Sequence, residues 1–178
     1  RVEEFRRPRF EVELEVEPGP HVVGRSLAAT ARAAAYAGGP LAEAPVEWTV
    51  TTGEARYQPP GWDRWRFGRS FPFWWRTGVG GFRPGRERTE RVDGQTAADG
   101  RSRLVLEPRA LAEPFPAHLD IRAEISDVDR RAVAASKDAL LHPADRYVGL
   151  RPEKTFLAED EALAVEAVAV DIDGDPVE

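Results

Sequence analysis

Apolar and acidic residues alternate without a break from Phe10 to Glu17. A two-residue period puts one set of side chains on a core and the other in water, which predicts a strand with one wetted face. Pro18-Gly19-Pro20 ends it, since proline cannot donate to a ladder and glycine accepts turn dihedrals. From Ser26 to Tyr36 the chain is rich in alanine, a composition that by intrinsic propensity favours helix. Leu27, Ala29, Ala31, Ala33 and Ala35 nevertheless share one face at period two, and Gly38-Gly39-Pro40 closes the run, so a strand is expected here as well. Val46, Trp48 and Val50 alternate with Glu47, Thr49 and Thr51 to give another half-buried strand.

After Gly53 the periodicity dissolves, and from about 54 to 91 neither period two nor period 3.6 is followed. This stretch reads as a long insertion between strands. Asp93-Gly94 and Asp99-Gly100 are tight-turn signals, Leu104 and Leu106 mark a strand stopped by Pro108, and Leu119, Ile121, Ala123 and Ile125 mark the next. Val133 to Leu141 supplies one more, which brings the count to about seven, the number of a sandwich. His142-Pro143-Ala144-Asp145 reads as a linker. Beyond it, Tyr147–Leu150 and Leu163–Ile172 make a second β unit that is too small to stand alone, since isolated hairpins are marginal in water. The expectation is an all-β chain: a seven-stranded antiparallel sandwich over 1–145, and at 146–178 the start of a following domain that is cut short, or else a unit that packs on the sandwich.

Charge sharpens the picture of the insertion. The formal net charge is −6, yet residues 56–91 hold nine arginines against Asp63, Glu87 and Glu90, and the remainder of the chain is acidic. Four of the five tryptophans lie there: Trp62, Trp65, Trp74 and Trp75. The absence of cysteine excludes disulfides, thiolate metal sites, cysteine nucleophiles and a cysteine-derived thioester within this chain. No apolar run approaches the ~20 residues of a membrane-spanning helix. The charged start Arg1-Val2-Glu3-Glu4 and the lack of any methionine suggest a stretch excised from a longer protein.

Three stretches together resemble the bacterial alpha-2-macroglobulin family. Val2-Glu3-Glu4-Phe5-Arg6-Arg7-Pro8-Arg9-Phe10-Glu11-Val12 is similar to the start of one of its macroglobulin-type sandwich domains. Tyr36-Ala37-Gly38-Gly39-Pro40-Leu41 followed by Ala44-Pro45-Val46-Glu47-Trp48 is similar to a hairpin of the same domain. Asp127–Arg131, Leu141–Asp145 and Tyr147–Glu153 are similar to the domain's end and the entry to its successor. The resemblance implies tandem macroglobulin-type, fibronectin-III-like sandwiches that form a scaffold around a protease; the thioester by which the family captures its attacker lies elsewhere in the parent or is absent from it. It also implies a periplasmic or extracellular location, with the parent anchored to a membrane. The chain would then be a non-catalytic scaffold piece of a protease inhibitor. Its partners would be neighbouring domains of the parent and, through the parent, a target protease; nucleic acid and direct membrane insertion are not expected.

One stretch offers a candidate site. Phe71-Pro72-Phe73-Trp74-Trp75, with Trp62 and Trp65, is apolar enough to demand burial, and a contiguous exposed patch of that kind usually marks an interface. Packing against a neighbouring domain is the favoured reading. The alternative is an envelope binding module whose stacked aromatics and arginines hold a glycan, peptidoglycan, an anionic surface or a protein. A further option treats Arg83, Arg86, Arg88 and Arg91 as protease-cleavable positions in a flexible stretch. His21, His118 and His142 show no spacing that puts two on one face as metal ligands, and no serine sits in a nucleophile-elbow pattern, so no catalytic, cofactor or metal residues are expected. Asp171-Ile172-Asp173-Gly174-Asp175 resembles the start of a calcium loop but lacks its distal glutamate, and reads as a β-turn.

Overall fold

The computed structural model describes residues 9–68, 87–109, 111, 115–154, 156, 158–159 and 161–178, and among them there are strands and no helix. In chain order the strands are β1 (Phe10–Val16), β2 (His21–Val22), β3 (Leu27–Ala35), β4 (Pro45–Glu54), β5 (Arg66–Phe67) and β6 (Arg88–Gln95). They continue with β7 (Arg101–Leu106), β8 (Ala117–Ser126), β9 (Ala132–His142), β10 (Arg146–Pro152) and β11 (Val165–Asp171). A three-stranded sheet runs β1-β3-β7 and a five-stranded sheet runs β2-β9-β8-β4-β6. All pairs in these two sheets are antiparallel except β2 with β9.

The alanine tract is a strand, as its period-two face requires. Its register sets Val12 beside Ala33, Leu14 beside Ala31 and Leu104 beside Ala29, so small and large side chains alternate across the sheet. Ala29, Ala31 and Ala33 are fully enclosed. Across from them the larger sheet supplies Trp48, Ile121 and Ile125, all buried in the same cluster, each worth about 1.5–3 kcal/mol relative to exposure. The indole of Trp48, 2% exposed, crosses the interior. Its Nε1 donates to Ser102 Oγ at 3.3 Å, and Ser102 lies beside Ala31 in register, so an alanine there leaves room for the ring edge.

Several boundaries differ from the sequence reading. Beyond the seven expected strands the sandwich contains β2, two residues long and held parallel to the end of β9. The insertion expected at about 54–91 ends earlier, because β6 begins at Arg88 and pairs with β4 through Thr52↔Arg88. Asp93-Gly94 is not a turn: Gly94 lies within β6 beside Val46, and the chain reverses instead at Asp99-Gly100, where Gly100 has φ +76°. His142 is not a linker residue but the buried last residue of β9.

The third sheet is the feature that positions the candidate site. It runs β11-β10-β5, joining the strands after residue 145 to a two-residue strand from within the insertion. Gly149↔Phe67 and Leu150↔Arg66 are the paired positions. The close approach needs glycine, since a Cβ on Gly149 would lie 2.5 Å from the Phe67 ring.

Candidate functional site

The described arm of the insertion, residues 55–67, leaves β4 and crosses to the third sheet. Ala55 N donates to Pro116 O at 2.8 Å, which fixes the start of the arm to the residue before β8. Tyr57 then places its ring among two others: 4.7 Å from the His142 ring, at nearly a right angle, and 5.0 Å from Tyr147. Its hydroxyl donates to the carbonyl of Ile172. His142 Nδ1 and Tyr147 Oη are 2.7 Å apart, both inside the structure. Residues from β9, β10, the arm and the turn after β11 therefore meet at one point.

The arm continues through Pro59, which is fully buried, and turns so that Trp65 N donates to Trp62 O at 2.9 Å. Trp62 and Trp65 are half-buried and pack edge to face, ring centroids 5.4 Å apart. Gln58 Nε2 donates to Trp62 O at 2.7 Å and braces the turn. Trp62 Nε1 donates to Gly174 O at 2.7 Å. Gly174, with φ +91°, tolerates this approach because a Cβ there would lie 2.4 Å from Pro60 O. The Arg151 guanidinium stands 4.9 Å from the Trp65 ring while its Nε donates to Glu166 at 2.6 Å, so one cation serves a ring and a carboxylate.

Electrostatically the junction is kept neutral. Burial pushes the His142 imidazole below its ordinary value, and the neighbouring imidazole of His21 adds to the effect. Burial also lowers His21, against a smaller opposing pull from Glu17. Desolvation holds the Tyr147 phenol far above its usual range, with Tyr57 contributing. A phenol held this firmly protonated beside a neutral imidazole suits a packed joint; it is the reverse of an activated nucleophile.

Of the expected interface residues, Trp62 and Trp65 are brought together against the third sheet, and Phe71, Phe73, Trp74 and Trp75 lie outside the described residues. Arg88 and Arg91, offered as cleavable positions in a flexible stretch, sit in β6 and pair with Thr52 and Thr49. Arg83 and Arg86 also lie outside the described residues. The acidic segment after β11 is a turn: Asp171 Oδ1 accepts from the backbone N–H groups of Asp173 and Asp175, each at 2.9 Å. Among the described residues no group of three or more His, Asp or Glu is placed to hold a metal ion, and no helix is long and apolar enough to cross a membrane. The sequence reading missed the partnership of His21 with His142, because only the parallel pairing of β2 beside β9 brings them together. It also missed Tyr57, for which the aromatic density of the insertion was the available signal, and Tyr147 and Arg151, which lie outside the insertion in β10.

No family model matches the chain. A curated alpha-2-macroglobulin homolog from Nostoc sp. is 26% identical over 175 residues, covering 98% of this chain and 9% of that protein. Among solved structures, native E. coli alpha-2-macroglobulin superposes with TM-score 0.63 at 15% identity, over 96% of this chain and 11% of that one. The same protein activated by porcine elastase gives 0.64 at 17%, covering 96% and 15%. Salmonella alpha-2-macroglobulin reacted with methylamine gives 0.62 at 14%, covering 98% and 12%. The chain thus spans about a tenth of the length of the relatives it matches, and across nearly its whole length it resembles bacterial alpha-2-macroglobulins.

Proposed function

We propose that this chain is a non-catalytic scaffold segment of a longer alpha-2-macroglobulin-like protease inhibitor, contributing a rigid sandwich and the joint to the domain that follows. The observation that carries this reading is the use made of the aromatic arm. Tyr57, Trp62, Trp65 and Phe67 are engaged by β9, β10 and the turn after β11, where a ligand platform would leave its ring faces open. Similarity over 98% of the chain to the Nostoc homolog supplies the family context.

The division at about residue 145, with 146–178 opening a further macroglobulin-type domain, is supported by the polarity of the third sheet. Arg151 and Glu166 lie on the face covered by the arm, while Arg146, Asp171 and Arg66 stand at the margins of the other. The opposite face carries Val148, Leu150 and Val165, 64%, 48% and 47% exposed, with Ala167 and Ala169 in register beside Leu150 and Val148. A sheet whose apolar face points outward is built to be covered, here by strands of the longer polypeptide. The resemblance carries with it an envelope location, periplasmic or extracellular with the parent anchored to a membrane, which cell fractionation of the parent protein checks.

The functional test uses the parent chain with Tyr57→Ala and Trp62→Ala together, challenged with trypsin. Scaffold function requires that the variant still be cleaved but hold the protease less well than wild type. Full inhibition by the variant, or quenching of tryptophan emission in the 178-residue chain by peptidoglycan fragments, would replace the scaffold reading with the glycan-binding alternative.

A further inference from the structure

We propose that His142 makes the joint between the sandwich and the third sheet an acid-operated latch, which releases the 55–67 arm and β10 while the sandwich stays folded. The proposal stands whether or not the parent inhibits proteases.

The geometry sets the device at one point. His142 is 4% exposed and is the last residue of β9, so its backbone belongs to the sandwich: its carbonyl accepts from Val23 N at 3.0 Å. Its side chain belongs to the joint. In the tautomer that carries its proton on Nε2, Nδ1 accepts from the Tyr147 hydroxyl, and the Tyr57 ring stands edge-on to it 4.7 Å away. Protonation places a hydrogen on Nδ1, so two donors then face each other across 2.7 Å. Tyr147 must turn its own proton elsewhere, and among the described residues its hydroxyl has no second partner. The imidazolium is also charged inside an aromatic pocket, which disfavours it unless the pocket opens.

The groups around His142 divide between the two outcomes. From β2, His21 disfavours a charge on His142, and Glu17 favours the charge on His21 from which that repulsion comes. From the arm and β10 come Tyr57 and Tyr147, both neutral, with burial first and then Asp173 and Asp171 of the turn beyond disfavouring ionisation of Tyr57. On the other side His142 borders an open groove of about 850 Å³ that also contacts Glu13, Glu15, Lys137 and Asp138. Those carboxylates are in solvent, where screening weakens their hold on a charge inside the joint. At the linker Arg25 and Asp145 pair at 3.7 Å, both exposed, and cancel.

The direction follows from linkage. The closed joint holds the His142 proton more weakly than water does, so it binds fewer protons than the open joint. Its stability is complete above the ordinary imidazole value of 6.5 and is lost as pH falls below it. The two halves separate in consequence. Among the described residues the sandwich core has no ionisable group at its centre, whereas the third sheet is tied to the sandwich through His142 and an arm that contributes the β5 pairing and a few side-chain bonds.

Hydrogen exchange on the whole 178-residue chain tests this, with wild type and His142→Gln compared at each pH so that intrinsic exchange rates cancel. Wild type should lose protection in residues 55–67 and 147–152 as pH falls from 7.5 to 5, with 119–125 unchanged. His142→Gln, which cannot acquire charge, should show no such loss. Equal pH dependence in the two proteins, or simultaneous loss in 119–125, overturns the latch. Should the variant not fold, an NMR titration of the wild-type ring decides instead: a His142 midpoint at or above 6.5 overturns the proposal, and one below it, with line broadening in the arm, supports it.

Discussion

Removing the hydroxyl of Ser102 is a small change with a calculable effect. In Ser102→Ala the indole N–H of Trp48 keeps its place inside the sandwich and loses its acceptor, the bond that now spans 3.3 Å between the two sheets. A buried donor left unpaired costs about 1–3 kcal/mol, and the length of this bond places the expectation near the lower end, at about 1.5 kcal/mol. Trp48→Phe removes the donor and part of the ring. About 40 Å³ of vacated space at about 24 cal/mol per Å³ costs ~1 kcal/mol, and the stranded Ser102 hydroxyl brings the total to about 2–3 kcal/mol. The double variant should recover about 1 kcal/mol relative to the sum, since neither partner is then orphaned. Urea unfolding followed by far-UV circular dichroism measures all three, as midpoint shifts at unchanged slope. Additivity within about 0.3–0.5 kcal/mol, or a Ser102→Ala shift below about 0.5 kcal/mol, would refute the claim that this bond ties the sheets together.

Other substitutions probe other layers. Gly149→Ala drives a methyl into the Phe67 ring and should destabilise the joint by about 1–3 kcal/mol, seen as faster exchange at Arg66–Phe67 with Ile121 unaffected. Gly94→Ala meets only Ser102 Oγ at 3.7 Å and Trp48 Nε1 at 4.0 Å, so it should be neutral or raise stability by up to about 1 kcal/mol in the same urea assay. Val148→Thr with Leu150→Thr should cut binding of a hydrophobic dye to the isolated chain while leaving the urea midpoint within about 0.5 kcal/mol, because both side chains face solvent.

The strands that could be read from the chain are those whose own side chains carry the reason for them. Phe10–Glu17 alternates because one face meets the core, and the alanine tract is a strand because Ala29, Ala31 and Ala33 must lie flat beneath larger neighbours. What stayed hidden depends on distant partners. Strands β2 and β5 are two residues each and exist because β9 and β10 lie alongside, so no local period announces them. Asp93-Gly94 misled because Asp-Gly permits a reversal without requiring one; pairing with Glu47 and Val46 keeps those residues extended. At the joint, aromatic density marked the right segment, but the choice of Tyr57, His142 and Tyr147 is made by three elements far apart in sequence.

Thr52 and Arg88 sit opposite each other on adjacent strands, so the whole intervening stretch departs from and returns to a single rung of the ladder. Its length is therefore uncoupled from the geometry of the sheet that bears it. Such a site accepts replacement of its contents as a socket accepts different fittings, and a changed segment would be felt at the third sheet, which its arm engages, before it was felt in the sandwich beneath.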